Sequence, residues 1–137
     1  IRINMSRYNG FPKLLRDLGF KVGAEVETAS GWYSQFLYKY IPGLQLYCID
    51  PWEEDSIYES AKQRLSAYDC RMLRESSQDA LKRFTDGSLD FVYIDESHSL
   101  PGATATITEW AKKVRPGGIV AGHDYHRASA TARNITR

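Results

Sequence analysis

The sequence predicts an α/β fold built on a doubly wound, mostly parallel sheet of about five strands. Three observations predict it. Short apolar runs alternate with amphipathic segments, which is the pattern of βαβ units with right-handed crossovers. The run LDFVYID is apolar almost without interruption, as a strand covered on both faces is. Glu27, Asp50, Asp95, His98, His123 and Asp124 all fall at or just past the ends of such runs. That is the rim where parallel sheets bind ligands.

The elements follow in order. FPKLLRDLGF predicts a short helix with Leu14, Leu15 and Leu18 on one face, Pro12 in its first turn and Gly19 at its end. Lys21–Val26 is the first strand. Trp32–Tyr40 is an amphipathic helix stopped by Pro42-Gly43. Leu44–Asp50 is the second strand, too short for a typical helix. The acids Glu53, Glu54 and Asp55 suit a helix start, and that helix runs through Ile57, Ala61 and Leu65. Tyr68–Arg74 alternates only weakly as a third strand. Ser76 with Asp79 has the spacing of a capping box and opens a helix through Ala80, Leu81 and Phe84. Leu89–Asp95 is the clearest strand. The helix Ala103–Val114 turns Ile107, Trp110, Ala111 and Val114 inward and ends at Pro116-Gly117-Gly118, and Ile119–Gly122 is the fifth strand.

The chain has 137 residues, the length of one domain. Residues 1–20 read as a helical lead-in, 21–125 as the core and 126–137 as a polar tail. A net charge of +1 supplies no field for nucleic acid or an acidic membrane. No apolar run is long enough to span a bilayer and no signal peptide is seen, so a cytoplasmic protein is expected. Cys48 and Cys70 fall in predicted strands without motif spacing and read as buried thiols rather than a disulfide.

The stretch Lys21–Gly31, KVGAEVETASG, joins an apolar strand to a small-residue turn and a helix N-terminus. Those are the parts of a nucleotide-type site, because N–H groups at a helix start attract anionic groups. Asp50 follows 19 residues after Gly31, about where the ribose-holding acid of such folds stands.

With these residues in place, the chain resembles the class I S-adenosylmethionine-dependent methyltransferases, in particular the small-molecule O-methyltransferase branch with IDGxH and GHDY segments. The stretches that carry the resemblance are AEVETASG (Ala24–Gly31), YCIDPW (Tyr47–Trp52), SSQDAL (Ser76–Leu81), DGSLDFVYIDESH (Asp86–His98) and RPGGIVAGHDY (Arg115–Tyr125). The resemblance implies a Rossmann-like fold, here C-terminally shortened relative to the seven-stranded methyltransferase fold. It implies S-adenosylmethionine as cofactor. Glu25, Glu27, Ala29 and Gly31 belong to the turn that holds its methionine moiety, and Asp50 accepts from the ribose hydroxyls. Pro51 and Trp52 flank the adenine, Ser77 and Asp79 lie at its rim, and Asp95 stands near the methyl group.

Asp95, His123 and Asp124 are expected as ligands of Mg²⁺ or another divalent ion, with His98 and Asp95 as catalytic groups and His98 the base. The alternative is that these are ordinary loop residues. The acceptor is expected to be a small molecule such as a sugar or glycoside, methylated on oxygen. A homo-oligomer is expected to cover the open edge of the last strand. Two positions depart from the family: Glu27 and Glu96 stand where it usually has glycine. Two other readings stay open: a non-catalytic methyltransferase-like interaction domain, and a dinucleotide-binding oxidoreductase, although ETASG is not GxGxxG.

Overall fold

The computed structural model describes residues 10–95 and 102–122, with side chains from Thr106 onward in the second stretch. Helix α1 spans Gly10–Asp17, and strand β1 Val22–Val26. Then come α2 (Trp32–Tyr40), β2 (Gln45–Asp50), α3 (Asp55–Leu65), β3 (Cys70–Arg74) and α4 (Ser77–Leu81). β4 (Leu89–Ile94), α5 (Gly102–Ala111) and β5 (Val114–Gly122) complete the described part. The strands form one all-parallel sheet in the order β3-β2-β1-β4-β5. The chain therefore winds outward from β1 in one direction, then returns to build β4 and β5 on its other side. The reversal falls between β1 and β4, where the crevice of a doubly wound sheet opens.

The period-two alternation of the strands sorts the core onto two faces. On one face Phe91 and Tyr93 of β4, with Leu46 and Cys48 of β2, meet Phe11 and Leu15 of α1, Tyr33 and Leu37 of α2, and Ala61 and Leu65 of α3. On the other, Ala24 and Val26 of β1 and Val92 and Ile94 of β4 meet Ala80 and Leu81 of α4 and Trp110 of α5. Phe11 packs edge-on against Phe91, and Tyr33 lies 4.7 Å from Tyr93, ring centre to ring centre. Both faces are covered, which is why the strands read as apolar runs.

Two local expectations are corrected. Leu18 does not share the buried face of α1: the helix ends at Asp17, the chain reverses at Gly19 (φ 75°), and Leu18 is 50% exposed. The expected helix through Ile57, Ala61 and Leu65 is α3, with Ala61 and Leu65 buried and Ile57 exposed. The larger correction concerns Pro116-Gly117-Gly118. These residues do not end a helix but lie inside β5, which begins at Val114 and carries a register irregularity opposite Leu89 and Phe91. The segment works as a bulge. Gly117 takes φ 90°, and a Cβ on Gly118 would sit 2.4 Å from the Asp90 carbonyl oxygen. Proline is tolerated because β5 pairs only with β4 among the described residues, so no second ladder needs its N–H.

At the N-terminal end of the sheet, Asp90 accepts from the backbone N–H of Lys21 (2.8 Å) and of Val22 (3.0 Å) and from Arg115 Nε (2.7 Å). Burial works against its ionisation, but the Arg115 guanidinium and the two N–H donors outweigh it and hold the carboxyl below its ordinary range. This cluster lies at the opposite end of the strands from the candidate site and fastens β1, β4 and β5 together there.

Candidate functional site

The site grows from the C-terminal ends of β1 and β2. After Val26 the chain leaves the sheet and immediately bonds across to its neighbour: the N–H groups of Glu27 and Thr28 both donate to the Ile49 carbonyl, at 2.7 and 3.1 Å. Thr28 Oγ1 donates back to the Glu25 carbonyl at 3.2 Å, and Gly31 N–H donates to the Thr28 carbonyl at 3.1 Å. A tight turn results, and it delivers Gly31 (φ 87°) to the start of α2 with no side chain capping that helix. A Cβ at Gly31 would press on Leu65 of α3 at 3.2 Å, so the turn also sets how closely the two helices approach.

Asp50 ties this turn to the one after β2. One carboxylate oxygen accepts from Ala29 N–H at 2.9 Å and the other from Trp52 N–H at 2.7 Å. The Trp52 indole N–H then donates to the Ala29 carbonyl at 2.7 Å, closing a ring of bonds between the two turns. Non-glycine residues in the left-handed region, among those described, are Glu27 (φ 73°), Ala29 (φ 54°) and Trp52 (φ 43°). All three belong to these turns. Left-handed backbone costs an ordinary residue roughly 1–2 kcal/mol, and such strain gathers where a binding site dictates the path of the chain.

Two arginines fasten the assembly from outside. Arg64 of α3 donates to the Ser30 carbonyl at 2.6 Å and lays its guanidinium 3.6 Å from the centre of the Trp32 ring. Arg74, at the end of β3, donates to the Trp52 carbonyl at 2.7 Å and to Asp55, and covers the Tyr58 ring. Beneath the turn, Ser34 of α2 donates to Oε1 of Glu25, which is 1% exposed, and its hydroxyl oxygen lies 3.4 Å from Cys48 Sγ. Burial pushes the Cys48 thiol well above its ordinary pKa, with the neighbouring Cys70 and the Glu25 charge adding to the effect.

The expected site residues fall as follows. Glu25, Glu27, Ala29, Gly31 and Asp50 come together in the cradle just described. Pro51 is half-buried in the second turn. Trp52 is there too, but its indole is only 2% exposed and packs on Tyr58 within the core. It rivets the turns together instead of offering an open face. Ser77 is buried at the start of α4, and Asp79 N–H donates to Ser76 Oγ at 3.1 Å, the bond expected of that cap. Asp95 sits at the crevice: its N–H donates to the Val26 carbonyl at 3.0 Å, so it stands beside the first turn. Glu96, His98, His123 and Asp124 lie outside the described residues. Among the described residues no three His, Cys, Asp or Glu side chains come together as a metal site.

Sequence reasoning missed Ser34, Arg64 and Arg74. Ser34 carried a usable signal, a polar residue between Tyr33 and Leu37 on the face of α2 turned to the sheet. The arginines carried none, because the carbonyls and side chains they meet are remote in sequence.

Residues 25–125 match a family model described as a methyltransferase domain. Among solved structures, the chain is 26% identical to the O-methyltransferase TomG from Streptomyces achromogenes, involved in tomaymycin synthesis and solved with S-adenosylmethionine. That match covers 80% of this chain and 52% of TomG with a TM-score of 0.64. Cofactor-bound Rv0187 from MTB matches at 20% identity over 80% of this chain and 51% of its own, with a TM-score of 0.68. An O-methyltransferase family protein from Burkholderia thailandensis matches at 19% identity over 78% and 34%, with a TM-score of 0.60. The chain thus spans about half the length of the first two and a third of the last. No curated protein matches it.

Proposed function

The chain belongs to the methyltransferase domain family, class I by its fold, and on that premise we propose that it moves the methyl group of S-adenosylmethionine to an oxygen of a small molecule such as a sugar or glycoside. The observation that carries the proposal is Asp50, which ends β2 and is gripped by both turns. Each of its oxygens accepts one backbone N–H and keeps a further lone pair. A vicinal diol fits that arrangement, so Asp50 would hold the ribose. The turn Glu27–Gly31, with its left-handed residues and the uncapped start of α2, would take the methionine moiety. Ser77 and Asp79 would border the adenine. The cofactor, when bound, supplies an electrophilic methyl group.

The chain's own residues then have mainly positional work, because in-line displacement rewards fixed geometry. The Asp50 ring of bonds and the two arginines keep the turns fixed. Asp95, beside the first turn, and His98 are assigned to the acceptor side, His98 taking the hydroxyl proton. Asp95, His123 and Asp124 are assigned to a divalent ion, and activity with and without a chelator tests that assignment. A second copy of the chain is assigned to the β5 edge, and a monomer by light scattering would remove it.

A second reading has one specific observation in its favour. Glu27 occupies a left-handed position (φ 73°) where the family usually has glycine, and its charge would stand near the cofactor carboxylate. On this reading the domain is a non-catalytic relative serving assembly. Calorimetric titration with S-adenosylmethionine and with its demethylated product decides between the two. Binding supports the enzyme, and no heat at millimolar ligand rejects it.

A further inference from the structure

Cys48 on β2 and Cys70 on β3 are both reduced, yet their sulfurs lie 2.9 Å apart. That is within about 1 Å of a bonded pair, whose separation is about 2.0 Å. The register explains the meeting. Cys70 is opposite Leu46 and Cys48 is opposite Met72, so the two cysteines are diagonal neighbours on one face of the sheet. We propose that they are a reversible dithiol–disulfide pair, a modification site built into the strands behind the cofactor cradle.

The environment divides the labour between the two sulfurs. Cys70 is half-buried on β3, which pairs only with β2 among the described residues, so a small oxidant reaches this sulfur first. Cys48 is buried, with Ser34 Oγ at 3.4 Å, and is shielded from direct attack. With hydrogen peroxide as oxidant, the Cys70 sulfur attacks one peroxide oxygen. The S–O bond forms, the O–O bond breaks and water leaves, giving a sulfenic acid. The Cys48 sulfur then attacks the Cys70 sulfur. The S–S bond forms, the S–O bond breaks, and the departing hydroxide takes the thiol proton as a second water. The two thiols lose two electrons, and one peroxide gains them. An external thiol reverses the change by exchange.

Diagonal neighbours must approach to be bridged, and an edge strand held on one side only is the element able to move. Its movement has a defined target. Cys48 precedes Asp50 by two positions on β2, and Cys70 precedes Arg74 by four on β3. Those two residues hold the Trp52 turn through its N–H and its carbonyl. The bridge would therefore tie the oxidation state of the sheet to the shape of the cradle.

The test does not depend on the reaction. The whole protein is exposed to hydrogen peroxide, quenched, alkylated in denaturant and digested without reduction for mass spectrometry. The expected product, from the monomer band of a non-reducing gel, is a peptide pair joined through Cys48 and Cys70. It is lighter than its parts by two hydrogens and lost on adding dithiothreitol. Cys70→Ser should abolish it and leave Cys48 alkylatable. Two alkylated thiols after peroxide would overturn the proposal. So would a sulfinic acid at Cys70 beside an intact Cys48 thiol, or a joined pair found only in a covalent dimer.

Discussion

Glu27→Gly should be more stable than Glu27→Ala, and the difference between the two isolates the cost of the backbone at this position. Glu27 sits at φ 73° in the turn after β1. A side chain in the left-handed region costs roughly 1–2 kcal/mol, and glycine removes that penalty. Glycine also loosens the unfolded chain, which returns about 0.4–1 kcal/mol. The net expectation is that Glu27→Gly exceeds Glu27→Ala in stability by about 0.5–1 kcal/mol. Glu27 is not without partners in the fold, but both variants lose its carboxylate equally, so that contribution cancels between them. For a domain of this size the difference is a few degrees in Tm, about 2–4 °C. Differential scanning calorimetry or urea unfolding of the two variants reads it directly. If Glu27→Ala matches or exceeds Glu27→Gly, the backbone at this position carries no such strain and the reasoning fails. Cofactor titration of the same pair separates charge from conformation. Removing the carboxylate should tighten S-adenosylmethionine binding about tenfold in both, roughly 1.4 kcal/mol, and a tightening seen only with glycine would assign the effect to the backbone.

Asp50→Asn should destabilise by about 1–3 kcal/mol, because its amide nitrogen would face the N–H of Ala29 or Trp52 in place of a charged acceptor; it should also abolish cofactor binding, and unchanged urea midpoints and affinity would contradict the cradle. The Trp110 indole nitrogen is buried with no hydrogen-bond partner among the described residues, so Trp110→Phe should cost little beyond lost volume, under about 2 kcal/mol; a larger loss by chemical denaturation would mean the N–H is satisfied. The Asp90 carboxyl is held below its ordinary range in the folded state, so the stability it adds is fully present above the unfolded value, about pH 3.9, and is lost as pH falls through the folded value. The stability advantage of the native protein over Asp90→Asn should therefore be flat at neutral pH and shrink below about pH 4; an advantage that grew on acidification would have the wrong sign.

Much of the architecture was legible because it is written in local pattern. Helix Trp32–Tyr40 was bounded correctly because Gly31 and Pro42-Gly43 punctuate it. The run ending near Asp95 reads as a strand because burial on both faces leaves no polar alternation, and the run ending at Asp50 because turn residues bound it at a length too short for a typical helix. Pro116-Gly117-Gly118 misled because the same residues that end a helix also make a bulge on an edge strand, and only the register against Asp90 distinguishes the two. At the site, Asp50 was legible from its place after an apolar run. The inward turn of the Trp52 indole was not, since it depends on the Ala29 carbonyl arriving from another strand. Arg64 and Arg74 escaped for the same reason: a long side chain finding a distant carbonyl leaves no periodic trace.

The ring of bonds that buries Trp52 also makes the cradle its own optical probe. The chain has three tryptophans, in three different settings. Trp110 is buried on α5 in the core cluster on the other face of the sheet from Trp52, and Trp32 is 64% exposed beneath the Arg64 guanidinium. Trp52 alone lies within both turns, with its ring nitrogen on the Ala29 carbonyl. A soluble quencher acts mainly on Trp32, which leaves emission dominated by the two buried rings. Of these, only Trp52 responds when the turns open, close or take up a ligand, so its emission maximum follows events in the cradle without any label.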